Sequence, residues 1–516
     1  MTTSTPSTKS VQSLLSNRWA RLLLPSLSDL FFLAMMGWLF MSGPQGWSQL
    51  LGDADVGWHI RTGEYVLDHH AVPQTDLYSF SKAGAPWYAW EWGSDVVDAL
   101  LHRGAGLKGV VLLSGVIIAL FALTLVRRMV AKGTHLFVAL ALALFGIGSS
   151  SVHFLARPHV FTMLLLSVSV WMIESDREKQ SAKIWLLVPL TILWTNLHGG
   201  FLSLIAALGL TSAGMLVESY LNRSDLFGFD WWRPARYAVL TSLCALGSLV
   251  NPYGYRLHQH VGEYLKSDWI KKYIQEFQSP SFRDESMFQF EVLLLAGLIT
   301  ACFLVQRKRI VEAAWIVFFA HMSLTSVRHV PVFVAVVCPL IASVVSEWWA
   351  KATEGVKKTS FAGILNDISA DTLVGFRRSS VIPFVAVAAL AGVAAPIKWP
   401  TDFPEAIFPV KMVQPYGSEI FHHRVLTTDQ WGDYLIYKDP TQKVFVDGRS
   451  DFYGPSVGNE YIKLVNGRWE WRDIMQKYNF DRALLPIEHP IVQILKGLPE
   501  WKVVADDGKV VFFTRR

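Results

Sequence analysis

Apolar residues in this chain gather in runs of roughly 15 to 22 with almost no charge, close to the ~20 needed to cross a hydrocarbon layer of ~30 Å. Val110–Val126, Val160–Ile173 and Pro331–Val345 are examples. The pattern predicts about eleven spans, near 28–43, 108–126, 135–150, 159–174, 184–196, 200–218, 237–250, 288–305, 311–326, 330–348 and 380–396. Between the first two lies a long polar segment, 45–106, in which Asp55 stands where an interfacial helix over 56–68 would begin. After Lys398 the pattern changes. Short β-like runs (Arg424–Thr427, Lys443–Asp447, Lys502–Ala505, Lys509–Phe513) alternate with helical stretches near Trp469–Tyr478 and Pro490–Lys496, as in a small α/β domain.

Composition sharpens this. Of 516 residues 52% are apolar and only 17% charged, against about 25% in soluble domains. A polytopic helical membrane protein is expected, and soluble enzymes, DNA-binding proteins and fibrous proteins are excluded. The net charge of +5 is too mild to suggest a nucleic-acid partner. Cys244, Cys302 and Cys338 all sit in apolar runs, which fits neither a disulfide framework nor a zinc site.

Lys and Arg cluster in alternate short loops: Lys9/Arg18/Arg21, Arg127/Arg128/Lys132, Arg177/Lys179/Lys183, Arg223/Arg233/Arg236, Arg307/Lys308/Arg309 and the segment from Lys351 to Arg378. The positive-inside bias then puts residues 1–27 in the cytoplasm, the 28–396 bundle in the cytoplasmic (inner) membrane, and 397–516 outside. No small-residue cleavage site follows the first apolar run, so an uncleaved first span is expected.

With that sidedness, the unusual polar residues collect at the outer face. They are Asp53, Asp55, His59 and Arg61, Glu91 between Trp90 and Trp92, Arg157 and His159, Asn196 and His198, Asn251, and Arg328 with His329. Ionisable groups near membrane depth are costly and usually face a cavity, so one aqueous outer pocket accounts for them together. Asp53, Asp55 and Glu91 are the candidates for acid/base work, with Asp55 equally readable as a helix N-cap. Arg157 and Arg328 offer guanidinium forks for phosphate. His59, Arg61, His159, Asn196, His198, Asn251 and His329 are candidate substrate contacts. Asp-x-Asp at 53–55 supplies hard oxygens suited to Mg²⁺ or Mn²⁺. No Walker A or G-x-G-x-x-G pattern supports nucleotide use.

Several motifs carry a resemblance. They are Asp53-Ala54-Asp55-Val56-Gly57-Trp58-His59, Trp90-Glu91-Trp92, Ala156-Arg157-Pro158-His159, Asn196-Leu197-His198-Gly199-Gly200, Asn251-Pro252-Tyr253-Gly254, Arg328-His329, Trp431-Gly432-Asp433-Tyr434 and Val446-Asp447-Gly448-Arg449. Together with the layout they resemble the GT-C superfamily of integral-membrane glycosyltransferases, and within it a bacterial branch. The resemblance implies transfer of a sugar from a polyprenyl-phosphate donor to an acceptor hydroxyl on an envelope glycan, lipid or protein. Asp53 or Asp55 then takes the place of the superfamily's first-loop Asp. The C-terminal part carries no WWDYG-like motif, which argues against protein N-glycosylation. A glycan ligase and a flippase or transporter of lipid-linked glycans are the alternatives; a flippase would show ionisable residues in mid-span.

Overall fold

The computed structural model describes residues 22–43, 45–222, 230–392 and 397–516. Lys9, Arg18, Arg21, Arg223 and residues 393–396 of the last expected span lie outside the described residues. The chain is mostly helical, with one small sheet near its C-terminus. In order, the helices are α1 (Leu27–Met41), α2 (Asp55–His69), α3 (Trp92–Ala105), α4 (Leu107–Ala131), α5 (Leu136–Ser150), α6 (His159–Glu178), α7 (Leu187–Thr195), α8 (Phe201–Asn222) and α9 (Trp232–Gly247). There follow α10 (Tyr255–Lys266), α11 (Asp268–Tyr273), α12 (Phe288–Gln306), α13 (Ile310–Thr325), α14 (Val330–Ala352), α15 (Phe361–Phe376) and α16 (Ile382–Gly392). Each expected apolar run is occupied by one of these helices. Five helical stretches, Leu107–Ala131, Leu136–His153, Phe201–Asn222, Glu285–Gln306 and Val327–Ala352, are long and apolar enough to cross a membrane. Leu27–Met41, Ala182–Thr195, Ile310–Thr325 and Ile382–Gly392 are apolar but shorter.

The core of the bundle is α14, buried continuously from Val330 to Ala342 and packed on α4, α5, α6, α12 and α13. Pro339 lies inside it. A proline has no N–H to offer the carbonyl four residues back, here that of Ala335. Arg128 of α4 supplies the donor instead: its Nη1 reaches Ala335 O at 2.5 Å and its Nη2 reaches Val336 O at 3.2 Å. The same guanidinium grips Glu174 of α6 in a two-point pair, 2.7 and 2.8 Å long, with no solvent access at Arg128. One buried cation thus ties three helices and repairs the proline gap.

The long polar segment after α1 folds as two helices packed at backbone distance. A Cβ at Gly63 of α2 would lie 1.9 Å from the Asp95 carbonyl of α3. On its other side α2 meets a C-terminal helix through Gly57, whose Cβ would lie 2.8 Å from Asp433 O. Only glycine permits both approaches.

In the C-terminal part, α17 (Val410–Ile420), β1 (Val425–Leu426), α18 (Asp429–Lys438), α19 (Ser450–Val465, broken at Gly454), α20 (Trp471–Tyr478), β2 (Arg482–Pro486), α21 (Pro490–Lys496), β3 (Trp501–Asp506) and β4 (Val510–Arg515) follow in sequence. The sheet order is β1-β2-β4-β3, with β1–β2 parallel and the other pairs antiparallel. The expected strand at 443–447 is not a sheet strand. Val444 pairs instead with Ser79 of the first loop, exchanging backbone bonds with Tyr78 and Phe80. Strand β2 and helices α17, α18 and α19 were not expected from the pattern.

Replacing Arg128 by Met strands Glu174 and the Ala335 carbonyl in a dry interior. A loss of about 3–5 kcal/mol is expected, read as a lower thermal unfolding midpoint in detergent. The double replacement of Arg128 and Glu174 by Met should lose less than the single one.

Candidate functional site

A cleft of about 1010 Å³ opens where α2 and α3, the turns before α6 and α8, the loop after α11, the start of α14 and the C-terminal part meet. Its polar wall carries Asp53, Asp55, Glu91, Arg157, His159, His198, Arg328 and His329, eight of the residues singled out by sequence. Its other wall is apolar, with Met163, Leu202, Phe318, Met322 and Val332 among the lining side chains.

Arg157 sits at the centre of the charges. Its segment is pinned when Ala156 N–H donates to Leu50 O at 2.7 Å, beside the start of α2. Its Nη1 is 2.7 Å from Asp53 Oδ2 and 3.6 Å from Glu276 Oε2, and its Nη2 is 2.7 Å from Asp55 Oδ2. Glu276 extends the chain of charges to Arg328, at 3.4 Å, whose guanidinium also covers the Phe277 ring at 4.4 Å. Burial pushes the Glu276 carboxyl up, but the guanidiniums of Arg328 and Arg157 outweigh it and hold it well below the usual carboxylate range.

Asp55 is not the N-cap that its position allowed. Helix α2 begins at Asp55 itself, and it is Asp53 whose Oδ1 accepts the Asp55 N–H, at 2.9 Å. The Asp55 carboxyl instead points between Arg157 and Asp433 of α18. Asp433 accepts the Gly448 N–H at 3.0 and 3.1 Å, and a Cβ at Gly448 would fall 1.9 Å from Asp55 Oδ1 and 2.9 Å from Asp433 Oδ2. Burial raises the proton affinity of both carboxyls; at Asp55 the Arg157 guanidinium and a hydrogen bond with Asp433 oppose this, while at Asp433 the neighbouring Asp55 adds to it. Two such carboxyls in a dry site hold a proton between them.

Glu91 has no arginine in contact, but imidazoles flank it. His59 Nε2 is 3.7 Å from one oxygen and His198 Nε2 3.5 Å from the other. Burial pushes its carboxyl up to about 8, with Arg157 and Arg328 offsetting part of the cost. Proton affinity near neutrality in a cleft is what an acid/base group requires.

Other expected contacts are spent elsewhere. Arg61 donates to Tyr437 O (3.0 Å from Nε) and to Glu64 (2.7 Å). Asn196 accepts from the Trp92 indole and donates to the carbonyls of Ile192 and Val250. Asn251 closes its own turn through Ser248 O, Gly254 O and Tyr253 N–H. None of these three lines the cleft, and His59 reaches it only through Glu91. Within the cleft, His159 Nε2 faces the His153 carbonyl at 2.6 Å, and His329 Nδ1 faces that of Met322 at 3.2 Å. Asp451 and Arg449 also line it, as do Glu276 and Asp429, which the sequence did not single out. Spacing does not separate Glu276 from Glu263, Asp268, Asp284 and Glu285 of the same loop; the need of Arg157 and Arg328 for a counter-charge was the only signal.

The hard oxygens of Asp53 and Asp55 are engaged by the Arg157 guanidinium. Among the described residues no group of three His, Cys, Asp or Glu side chains is placed to hold a metal ion. The carboxylates are thus arranged around a guanidinium.

The Glu91 shift fixes a sign for stability. Between its ordinary 4.5 and about 8 the folded chain holds a proton that the unfolded chain has released, so stability contributed by Glu91 falls as pH rises through that window. In Glu91→Gln the unfolding midpoint should decline less than in the wild type between pH 5 and 8, followed by thermal unfolding in detergent.

No protein-family model matches the chain, and no curated protein is similar to it in sequence. Solved structures share its fold. The oligosaccharyltransferase AglB of Archaeoglobus fulgidus, in complex with an inhibitory peptide and a dolichol-phosphate, superposes with a TM-score of 0.57 at 11% identity, over 93% of this chain and 70% of that one. The apo form of an oligosaccharyltransferase from the same organism gives 0.54 at 10% identity, over 89% and 69%. ArnT of Cupriavidus metallidurans in the apo state gives 0.49 at 11%, over 98% of both chains. The chain has the GT-C fold, as its motif string implied.

Proposed function

We propose that this protein is a glycosyltransferase of the cytoplasmic membrane, moving a sugar from a polyprenyl-phosphate donor to an acceptor hydroxyl at the outer face. The observation that carries the proposal is one cleft in which two arginines stand beside acid/base carboxyls and an apolar wall. The fold is that of AglB, which was captured with a dolichol-phosphate. The apolar wall suits a polyprenyl chain entering from the bilayer, and the arginines suit its phosphate.

Arg328 meets Glu276 at 3.4 Å, the Tyr264 hydroxyl and the Phe277 ring face, and a guanidinium with five N–H donors keeps some for phosphate oxygens. The acceptor oxygen attacks the anomeric carbon as the carbon–oxygen bond to phosphate breaks. The bonding pair leaves with the phosphate, and Arg328 and Arg157 stabilise the charge that develops there. The hydroxyl proton goes to Glu91, because Asp53 and Asp55 are already bound to Arg157. Asp53 and Asp55 keep Arg157 in place. The outer position of residues 397–516 and of the cleft belongs to the same proposal, since an outward site needs a lipid-linked donor. An envelope glycan, lipid or protein supplies the acceptor hydroxyl.

The test is loss of label from a polyprenyl-phosphate sugar pool in membranes carrying folded protein. Arg328→Gln should slow turnover by about 10²–10³-fold, as removal of one preorganised charge donor does. Glu91→Gln should remove it almost entirely. Wild-type clearance of the pool by both variants overturns the proposal.

A further inference from the structure

Glu91 and Asp95 stand one turn apart at the start of α3, and His59 of α2 reaches both. Its Nδ1 is 2.6 Å from Asp95 Oδ1, and its Nε2 faces Glu91 at 3.7 Å. His198 faces the other Glu91 oxygen at 3.5 Å. The register is rigid: α3 lies against the Gly63 backbone of α2, and Gly93 N–H donates to Asn196 O at 2.9 Å, docking α3 on the turn that bears His198.

The tautomer of His198 is set by the backbone. Gly200 N–H donates to its Nδ1 at 3.1 Å. The Thr162 hydroxyl, which accepts from the Trp194 indole at 2.9 Å, lies 2.7 Å from the same nitrogen. A nitrogen that accepts from a backbone N–H carries no proton, so the His198 proton is on Nε2, toward Glu91. Asp95 sets His59 in a different way. It is fully buried, and its Oδ2 has no partner. An ionised carboxylate with an empty oxygen in a dry site is costly, whereas a neutral carboxyl can donate its proton to Nδ1. Burial drives both groups that way, Asp95 far up and His59 far down.

We propose that Asp95 is a positioning residue that acts as a neutral hydrogen-bond donor, locking His59 in the tautomer whose Nε2–H faces Glu91. Glu91 then lies between two imidazole N–H groups, His59 locked by a side chain and His198 by the backbone. Contacts of 3.5–3.7 Å are long for hydrogen bonds, and such contacts tighten when a substrate closes the site. The two donors orient Glu91 and favour its carboxylate form, which takes the hydroxyl proton while neither imidazole changes charge. The other charges acting on Glu91 are Arg157, Arg328, Asp451 and Glu276, and the variants below alter none of them. The inference rests on the transfer reading only for the proton's origin.

The experiment is an infrared titration of the Glu91 carboxyl in the purified full-length protein, with Glu91→Gln as the difference blank, beside turnover of the lipid-linked sugar. Asparagine can donate to Nδ1 as a neutral carboxyl does. Asp95→Asn should therefore leave the Glu91 midpoint in place and kcat within about threefold of wild type. Asp95→Leu frees His59 to turn its bare nitrogen to Glu91. Its midpoint should rise by about one pH unit, with kcat down at least about tenfold and KM for the donor unchanged. His59→Phe removes the same N–H and should raise the midpoint equally, which covers failure of Asp95→Leu to fold. If Asp95→Asn loses activity as Asp95→Leu does, Asp95 works as an anion and the proposal is wrong. An unmoved midpoint in both Asp95→Leu and His59→Phe overturns it too. Because the titration needs no substrate, the expected midpoints without any sugar transfer would support the array and overturn the transferase instead.

Discussion

The cleft of this molecule is organised around one cation. The Arg157 guanidinium draws Asp53 and Asp55 from the start of α2 and Glu276 from the loop after α11 to one point. Three carboxylates packed together in a poorly hydrated site would repel one another by several kcal/mol, and only a fixed positive charge among them offsets that repulsion. Glu276 passes the interaction on to Arg328 at the start of α14. A mirror of the device lies deep in the bundle, where Arg128 joins α4, α6 and α14. The two differ in what they leave over. Arg128 spends four of its five N–H donors inside the bundle, whereas the Arg157–Glu276–Arg328 chain lines an open cleft and keeps donors for an incoming anion.

Much of this was legible in the sequence. Long uncharged runs fixed where helices would be, and alternation of basic loops put Asp53, Glu91, Arg157, His198 and Arg328 on one side, where a shared pocket followed from the cost of burying charge. Legibility ended where residues distant in sequence meet. Arg61 looked like a ligand, yet it is taken up by Glu64 three residues on and by a carbonyl 376 residues on. Asn196 and Asn251 sit at helix ends where their amides serve backbone groups, a use that no spacing reveals. Nothing in the spacing singled out Asp95, and Asp433 stood only within a motif; both become fully buried where distant helices pack over them. In the C-terminal part, β2 ends in a proline and α19 contains Gly454 and Pro455, so local preference argued against elements that tertiary packing enforces.

The glycine contacts of α2 extend beyond local packing. Because α18 rests on the α2 backbone at Gly57, and Asp433 and Gly448 close one side of Asp55, the C-terminal residues form part of the cleft wall. Arg449 reaches back to Asp76 of the first loop at 2.8 Å, and Val444 extends that loop as a strand partner. Residues 397–516 are therefore not interchangeable cargo on a membrane scaffold. A chimaera of two such chains would have to exchange the first loop and the C-terminal part together, as one inherited block, or lose the wall that shapes the site.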